Sequence, residues 1–148
     1  MNKDHLINTC IAVLAFFFCF RELGTFPSAW LDDSLFMLVA QSVARGDGYS
    51  LPMFGEFWQY PFVLAVGPMA ILPSALSMSL FGESVAVARI PSALYTLATI
   101  ALVYCFAKHR AGTRNAQMAA LLLLTLSAFI NNGKPVLGEV PGIFFLLL

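Results

Sequence analysis

The chain has 148 residues, 59% of them hydrophobic and 11% charged, with a mean hydropathy of +0.81. Eight acidic and eight basic residues are too few to clothe a soluble domain of this size, so the composition points to an integral membrane protein. The zero net charge argues against a bulk affinity for nucleic acid, and none is expected as a partner.

The first apolar run covers residues 6–23, after Lys3 and His5. No small-x-small cleavage site follows it: Arg21, Glu22 and Leu23 come next, and Phe16, Phe17 and Phe18 are bulky. It reads as a retained transmembrane helix rather than a signal peptide. Residues 24–89 form a long loop, which opens with "WLDDSLF", Trp30 to Phe36. Leu35, Phe36, Val39 and Val43 recur at helical spacing, and Gly46 is placed to stop the helix. The reading is an amphipathic helix lying on the membrane, with one of Asp32 and Asp33 as its cap. A cap explains one carboxylate. Two adjacent like charges repel, so the alternative for the second is a base or a metal ligand, held ionised by the helix N-terminus.

Further along the loop, "PFVLAVGPMAILPSALSMSLF" (Pro61 to Phe81) has no charge and is long enough to span. Pro61, Gly67, Pro68 and Pro73 interrupt it, which suits an interfacial or re-entrant segment better than a straight span. A second span is read over 90–107 and a third over 117–130. Between them, "KHRAGTRN" concentrates Lys108, Arg110 and Arg114 in a short loop. The positive-inside rule makes that loop cytoplasmic, and the N-terminus with it. Seven of the eight acids then fall on the outer side, with Asp4 the exception. Arg89 opens the second span, either as an interfacial anchor or as a ligand for a lipid-linked phosphate. Trp30, Trp58 and Tyr60 read as interfacial aromatics.

A fourth span begins near Val140 and runs 140–148. As a helix it covers only about 13 Å of a hydrocarbon core roughly 30 Å thick, so the sequence reads as the N-terminal part of a longer protein. Glu139 stands at the outer mouth of this span, between Gly138 and Val140 in "NGKPVLGEVPG". It is either a first-turn glutamate favoured by the helix dipole or a functional carboxylate. Lys134 is its candidate salt-bridge partner or a phosphate ligand. Cys10, Cys19 and Cys105 all lie in apolar segments and suggest packed thiols, and His5 and His109 form no ligand pair. The expected fold is all-α: a polytopic membrane helix bundle with an amphipathic juxtamembrane helix in a long outer loop.

The order of these features carries a resemblance. An acidic pair opening an outer helix, "DDSLFMLVAQSVARGDGY", is similar to the first outer loop of membrane glycosyltransferases of the GT-C fold. "GPMAILPSALSMSLFGESVAVARIPSAL" resembles the stretch that follows there, and "PVLGEVPGIFF" the acidic start of the fourth span. Protein O-mannosyltransferases and the aminoarabinose transferases of lipid A have this pattern. The acidic-basic-proline pattern of the aminoarabinose branch is absent: "WQYPF", downstream of Glu56, lacks the lysine and the second proline.

The resemblance implies transfer of a sugar from a polyprenyl-phosphate carrier to a lipid, glycan or protein acceptor on the outer face of the membrane. It implies Asp32, Asp33 and Glu139 as the catalytic carboxylates, with Asp32 as the reactive one. Arg89 and Lys134 are the candidates for the lipid phosphate, and a divalent metal, if used, falls to Asp32 and Glu139. The expected location is a bacterial inner membrane, with the active face periplasmic or extracellular. The competing reading is a non-enzymatic multi-pass protein, a transporter fragment or a scaffold subunit, whose acids only cap helices.

Overall fold

The computed structural model describes residues 3–59 and 67–148. In chain order the elements are α1 (Lys3–Phe20), α2 (Leu31–Arg45), β1 (Ser50–Met53), β2 (Glu56–Gln59), α3 (Pro68–Phe81), α4 (Val85–Ala111), α5 (Thr113–Thr125), α6 (Ser127–Asn132) and α7 (Glu139–Leu147). It is an all-α membrane bundle with one small hairpin. Among the described residues, two helices, α1 and α4, are long and apolar enough to cross a bilayer.

Helix α4 is the axis of the molecule, with α1, α2, α3, α5 and α7 all packed against it. It is longer than the 90–107 read from hydropathy. Ser84 caps its start, accepting from the Val87 amide at 3.2 Å, and its last turn carries Lys108, His109 and Arg110. Basic residues there complement the negative end of the helix dipole, so the helix outlasts its apolar stretch. Helix α1 ends at Phe20, before the expected 23. The stretch read as one span over 117–130 is broken at Leu126, whose φ of −78° and ψ of 91° leave the helical region between α5 and α6.

Two prolines lie inside helices, Pro73 in α3 and Pro91 in α4. Each removes an amide and so frees the carbonyl four residues earlier, Met69 and Val87 respectively. The partner helix supplies the missing donor in both cases. The Tyr95 hydroxyl of α4 donates to the Met69 carbonyl at 3.2 Å, and the Ser77 hydroxyl of α3 donates to the Val87 carbonyl at 2.8 Å. In an apolar surround an unmade backbone bond is costly, so this reciprocal repair locks α3 to α4.

Helix α2 was expected to lay its apolar face on the membrane. Instead Phe36, Met37, Val39 and Ala40 are buried with Ile71, Ala75 and Met78 of α3, Leu51 of β1 and Ala88 of α4. Protein covers that face in place of lipid. Its end is as the sequence implies: Gly46 sits at φ +88°, and the Gly46 and Asp47 amides close back on Val43 and Ser42. On the far side of α4 a second core joins Ile11, Ala15 and Cys19 of α1 to Ala93, Ile100, Ala120, Leu124 and Ile130.

The hairpin was not foreseen. β1 and β2 pair antiparallel, Met53 with Glu56 and Ser50 with Gln59. Phe54 and Gly55, both at positive φ, make the two-residue turn, and this is the type I′ pattern that suits the twist of paired strands. The earlier part of the expected re-entrant segment, Pro61 to Val66, and the aromatic Tyr60 lie outside the described residues.

Charge separates the bundle into two ends. Asn8 of α1 accepts from Gln117 of α5 at 3.0 Å, which sets the start of α1 beside the start of α5 and the end of α4. Lys3, His5, Lys108, His109, Arg110 and Arg114 therefore share one end. The opposite end holds the end of α1 and the starts of α2, α4 and α7, and with them Glu22, Asp32, Asp33, Glu83 and Glu139.

Candidate active site at the acidic end

Asp32 and Asp33 are the second and third residues of α2. Neither caps it. The N-cap position belongs to Trp30, with no side-chain bond, because Leu31 already has helical geometry and moves both acids into the first turn. Favourable contact with the helix dipole remains. The two side chains then part company. Asp33 is fully buried, whereas Asp32 is exposed.

The burial of Asp33 is matched by complete pairing. One carboxylate oxygen accepts from Nη2 of Arg89 at 2.5 Å, and the other accepts from the Val136 amide at 2.7 Å. Arg89 is itself fully buried. Its Nη1 donates to the carbonyls of Leu23 at 2.9 Å and Pro27 at 2.8 Å. Its Nε is buried without a partner among the described residues. One ion pair thus ties together four pieces of chain: the turn after α1, the start of α2, the start of α4 and the segment before α7. A buried pair need not add stability relative to an apolar replacement, but it fixes geometry, and removing one partner is costly.

Arg89 is therefore neither exposed at an interface nor presented to a phosphate. Its guanidinium faces inward and is bonded to the first turn of α2. Lys134 is almost fully buried. Its Nζ donates to the Arg21 carbonyl at 2.9 Å and lies 5.6 Å from the Phe26 ring centroid. Burial lowers the Lys134 pKa from its ordinary value, with Glu22 opposing that shift. Lys134 also lines a cleft of about 480 Å³, together with Arg21, Glu22, Phe26, Ser127 and Asn131. Residues on both sides of the break at Leu126, Thr125 and Ser127, line that cleft.

Glu139 is the first residue of α7 and is exposed. Val136, held by Asp33, precedes it by three residues. The segment leading to it is fixed a second time at Gly133, whose carbonyl accepts from the Thr96 hydroxyl at 2.8 Å. A Cβ at Gly133 would stand 2.1 Å from that hydroxyl. Only glycine permits this approach. The structure thus joins the segment bearing Glu139 to the first turn that bears Asp32, through Asp33. On these two joined segments, Asp32 and Glu139 are exposed.

No group of three His, Cys, Asp or Glu side chains placed to hold a metal occurs among the described residues. Both oxygens of Asp33 are engaged.

The all-α membrane bundle is consistent with the membrane glycosyltransferases of the GT-C type. The family model described as dolichyl-phosphate-mannose-protein mannosyltransferase matches residues 65–148, more than half of the chain, and the chain belongs to that family. No curated protein and no solved structure matches it. The matched segment contains Arg89, Lys134 and Glu139 but stops short of the acidic pair. The bonds from Asp33 to Arg89 and Val136 connect that pair to it.

Sequence reasoning found these residues but paired them differently. Asp33 and Arg89 are 56 residues apart, and nothing local links them. The available signal was electrostatic: an arginine opening a span beside a surplus acid on the same side is a candidate buried pair. The Ser77 and Tyr95 contacts also went unread, although each proline marks a carbonyl in need of a donor.

Proposed function

We propose that this protein transfers a sugar from a polyprenyl-phosphate carrier to an acceptor hydroxyl at the acidic end of the bundle, on the outer face of a bacterial inner membrane. The observation that carries the reading is the division within the acidic pair. Asp33 is buried and fully bonded, and it holds Asp32 exposed in the first turn of α2.

Asp32 is the general base. As the acceptor oxygen bonds to the anomeric carbon, its proton passes to the Asp32 carboxylate. The bond from that carbon to the phosphate oxygen breaks, and its electron pair leaves with the phosphate. Lys134, which lines the cleft, supplies positive charge toward that phosphate. Arg89 acts through Asp33 and does not touch the substrate. Glu139 orients the acceptor or shares a hydrated divalent ion with Asp32; such an ion would add Lewis-acid stabilisation of the leaving phosphate. The acceptor is a protein, lipid or glycan hydroxyl.

The test is Asp32→Asn in the full-length protein, assayed in membranes with a labelled polyprenyl-phosphate sugar. Transfer is expected to fall by roughly 10²–10⁴-fold, the usual contribution of a general base, with insertion and melting unchanged. Undiminished transfer would remove Asp32 from the role. Sidedness has its own check: a reporter fused at Gly112 should read cytoplasmic, and an outer reading would invert the orientation.

A further inference from the structure

At the opposite, basic end a groove of about 480 Å³ runs between α1, α4 and α5. Its floor and walls are apolar: Ala12 and Ala15 on α1, Ala101 on α4 and Ala120 on α5 leave space between the larger Phe16 and Leu97. Alanines at facing positions leave a channel that larger residues would fill. Its composition suits a hydrocarbon chain.

The basic end of the groove is different in kind. Asn8, Tyr104 and Lys108 close it. The Tyr104 hydroxyl is buried and has no hydrogen-bond partner among the described residues. Lys108 has its ammonium 6.0 Å from the Tyr104 ring centroid and takes part in none of the three ion pairs found among the described residues. Arg110 and Arg114 follow within six residues of Lys108. A buried hydroxyl donor and a cation at the mouth of an apolar channel match one ligand chemistry, an acyl chain that carries a phosphate at its end.

We propose that this groove binds an anionic glycerophospholipid from the leaflet at the basic end. One acyl chain lies along Ala12, Ala15, Ala101 and Ala120, and the phosphate sits at Lys108 with Tyr104 donating to it. The site is remote from the carboxylates and does not rest on the transfer reaction. The buried Tyr104 hydroxyl beside Lys108 distinguishes the groove mouth from an ordinary basic lipid-facing surface.

The experiment reconstitutes the full chain in nanodiscs containing a trace of phosphatidylglycerol or phosphatidylcholine with a diazirine on the acyl chain. Cross-linked peptides are mapped after irradiation. Phosphatidylglycerol is expected to label the α1 and α4 segments lining the groove at least about fivefold over phosphatidylcholine, a preference of the size a surface cation gives. Lys108→Gln should abolish the preference, and Tyr104→Phe should weaken it. Ala101→Phe should remove groove labelling by filling the channel, and Ala12→Leu does the same from the other wall if the first variant does not fold. Equal labelling by the two lipids overturns the proposal. So does labelling indifferent to both filling variants, or none in the groove, the result expected if another helix covers it.

Discussion

The two ends of the bundle use charge in opposite ways. At the acidic end, charged side chains are drawn inside and bonded to backbone: Arg89 to Leu23 and Pro27, Asp33 to Val136, Lys134 to Arg21. At the basic end, Lys108, Arg110 and Arg114 are exposed at helix termini. Buried, bonded charges hold irregular chain in a single geometry. Exposed cations set orientation and meet lipid headgroups, and they ask little of the fold. A carboxylate that must keep its place for chemistry belongs at the first kind of end.

The sharpest test of that contrast lies within the acidic pair. Asp32→Asn should cost transfer by roughly 10²–10⁴-fold and leave the melting temperature alone. Asp33→Ala or Arg89→Ala should do the reverse in kind. Each strands a buried charge, with an expected loss of about 3–5 kcal/mol of stability, read by thermal unfolding in detergent. The double variant should recover part of the loss, and full additivity would argue against a direct pair. Substituting Arg110, by contrast, should move stability by no more than about 0.5 kcal/mol.

Gly133→Ala probes the fixing of the segment before α7. The new methyl meets the Thr96 hydroxyl, and overpacking of this sort costs about 1–3 kcal/mol. Thr96→Ala in the same chain should relieve part of it. Smaller again are the repairs at the prolines: Ser77→Ala and Tyr95→Phe should each cost about 1 kcal/mol, and Pro91→Ala should make the Ser77 change less damaging, because it restores an amide donor to Val87.

The smallest effect is set by pH. Glu83 bonds Arg45 at 2.7 and 2.5 Å and Gln41 at 2.6 Å. The hydrogen bond from Arg45, then that from Gln41, lowers its pKa from 4.5 to about 2. A depressed carboxylate pKa means that the contribution is present above about 4.5 and is lost as pH falls toward 2. Glu83→Gln should therefore flatten the acid limb of the stability profile between these values, with a small loss of stability at neutral pH that vanishes as pH falls toward 2.

Much of the scaffold was legible because apolar runs and helix stops are local signals. The runs that became α1, α4 and α7, and the Gly46 stop of α2, could be read directly. What escaped depends on partners. The break at Leu126 falls in "LLLLTLSAFI", where no Gly or Pro announces it. The hairpin hid behind Phe54, a residue rarely found at positive φ, where Asn or Asp would have signalled the turn. At the candidate site, the buried contacts were not legible. Arg89 looked like an anchor or phosphate ligand because its acid lies 56 residues away, and the cap expected from an aspartate fell to Trp30.

The reciprocal repair between α3 and α4 also bears on how the protein is made. Each helix carries an orphaned carbonyl that only the other can satisfy. Entering an apolar phase alone, either would carry that carbonyl unpaired; entering together, neither does. The turn at Gly82 to Ser84 is short enough to let the two leave the insertion machinery as one hairpin. The two prolines thus give α3 and α4 a reason to enter the apolar phase as a pair.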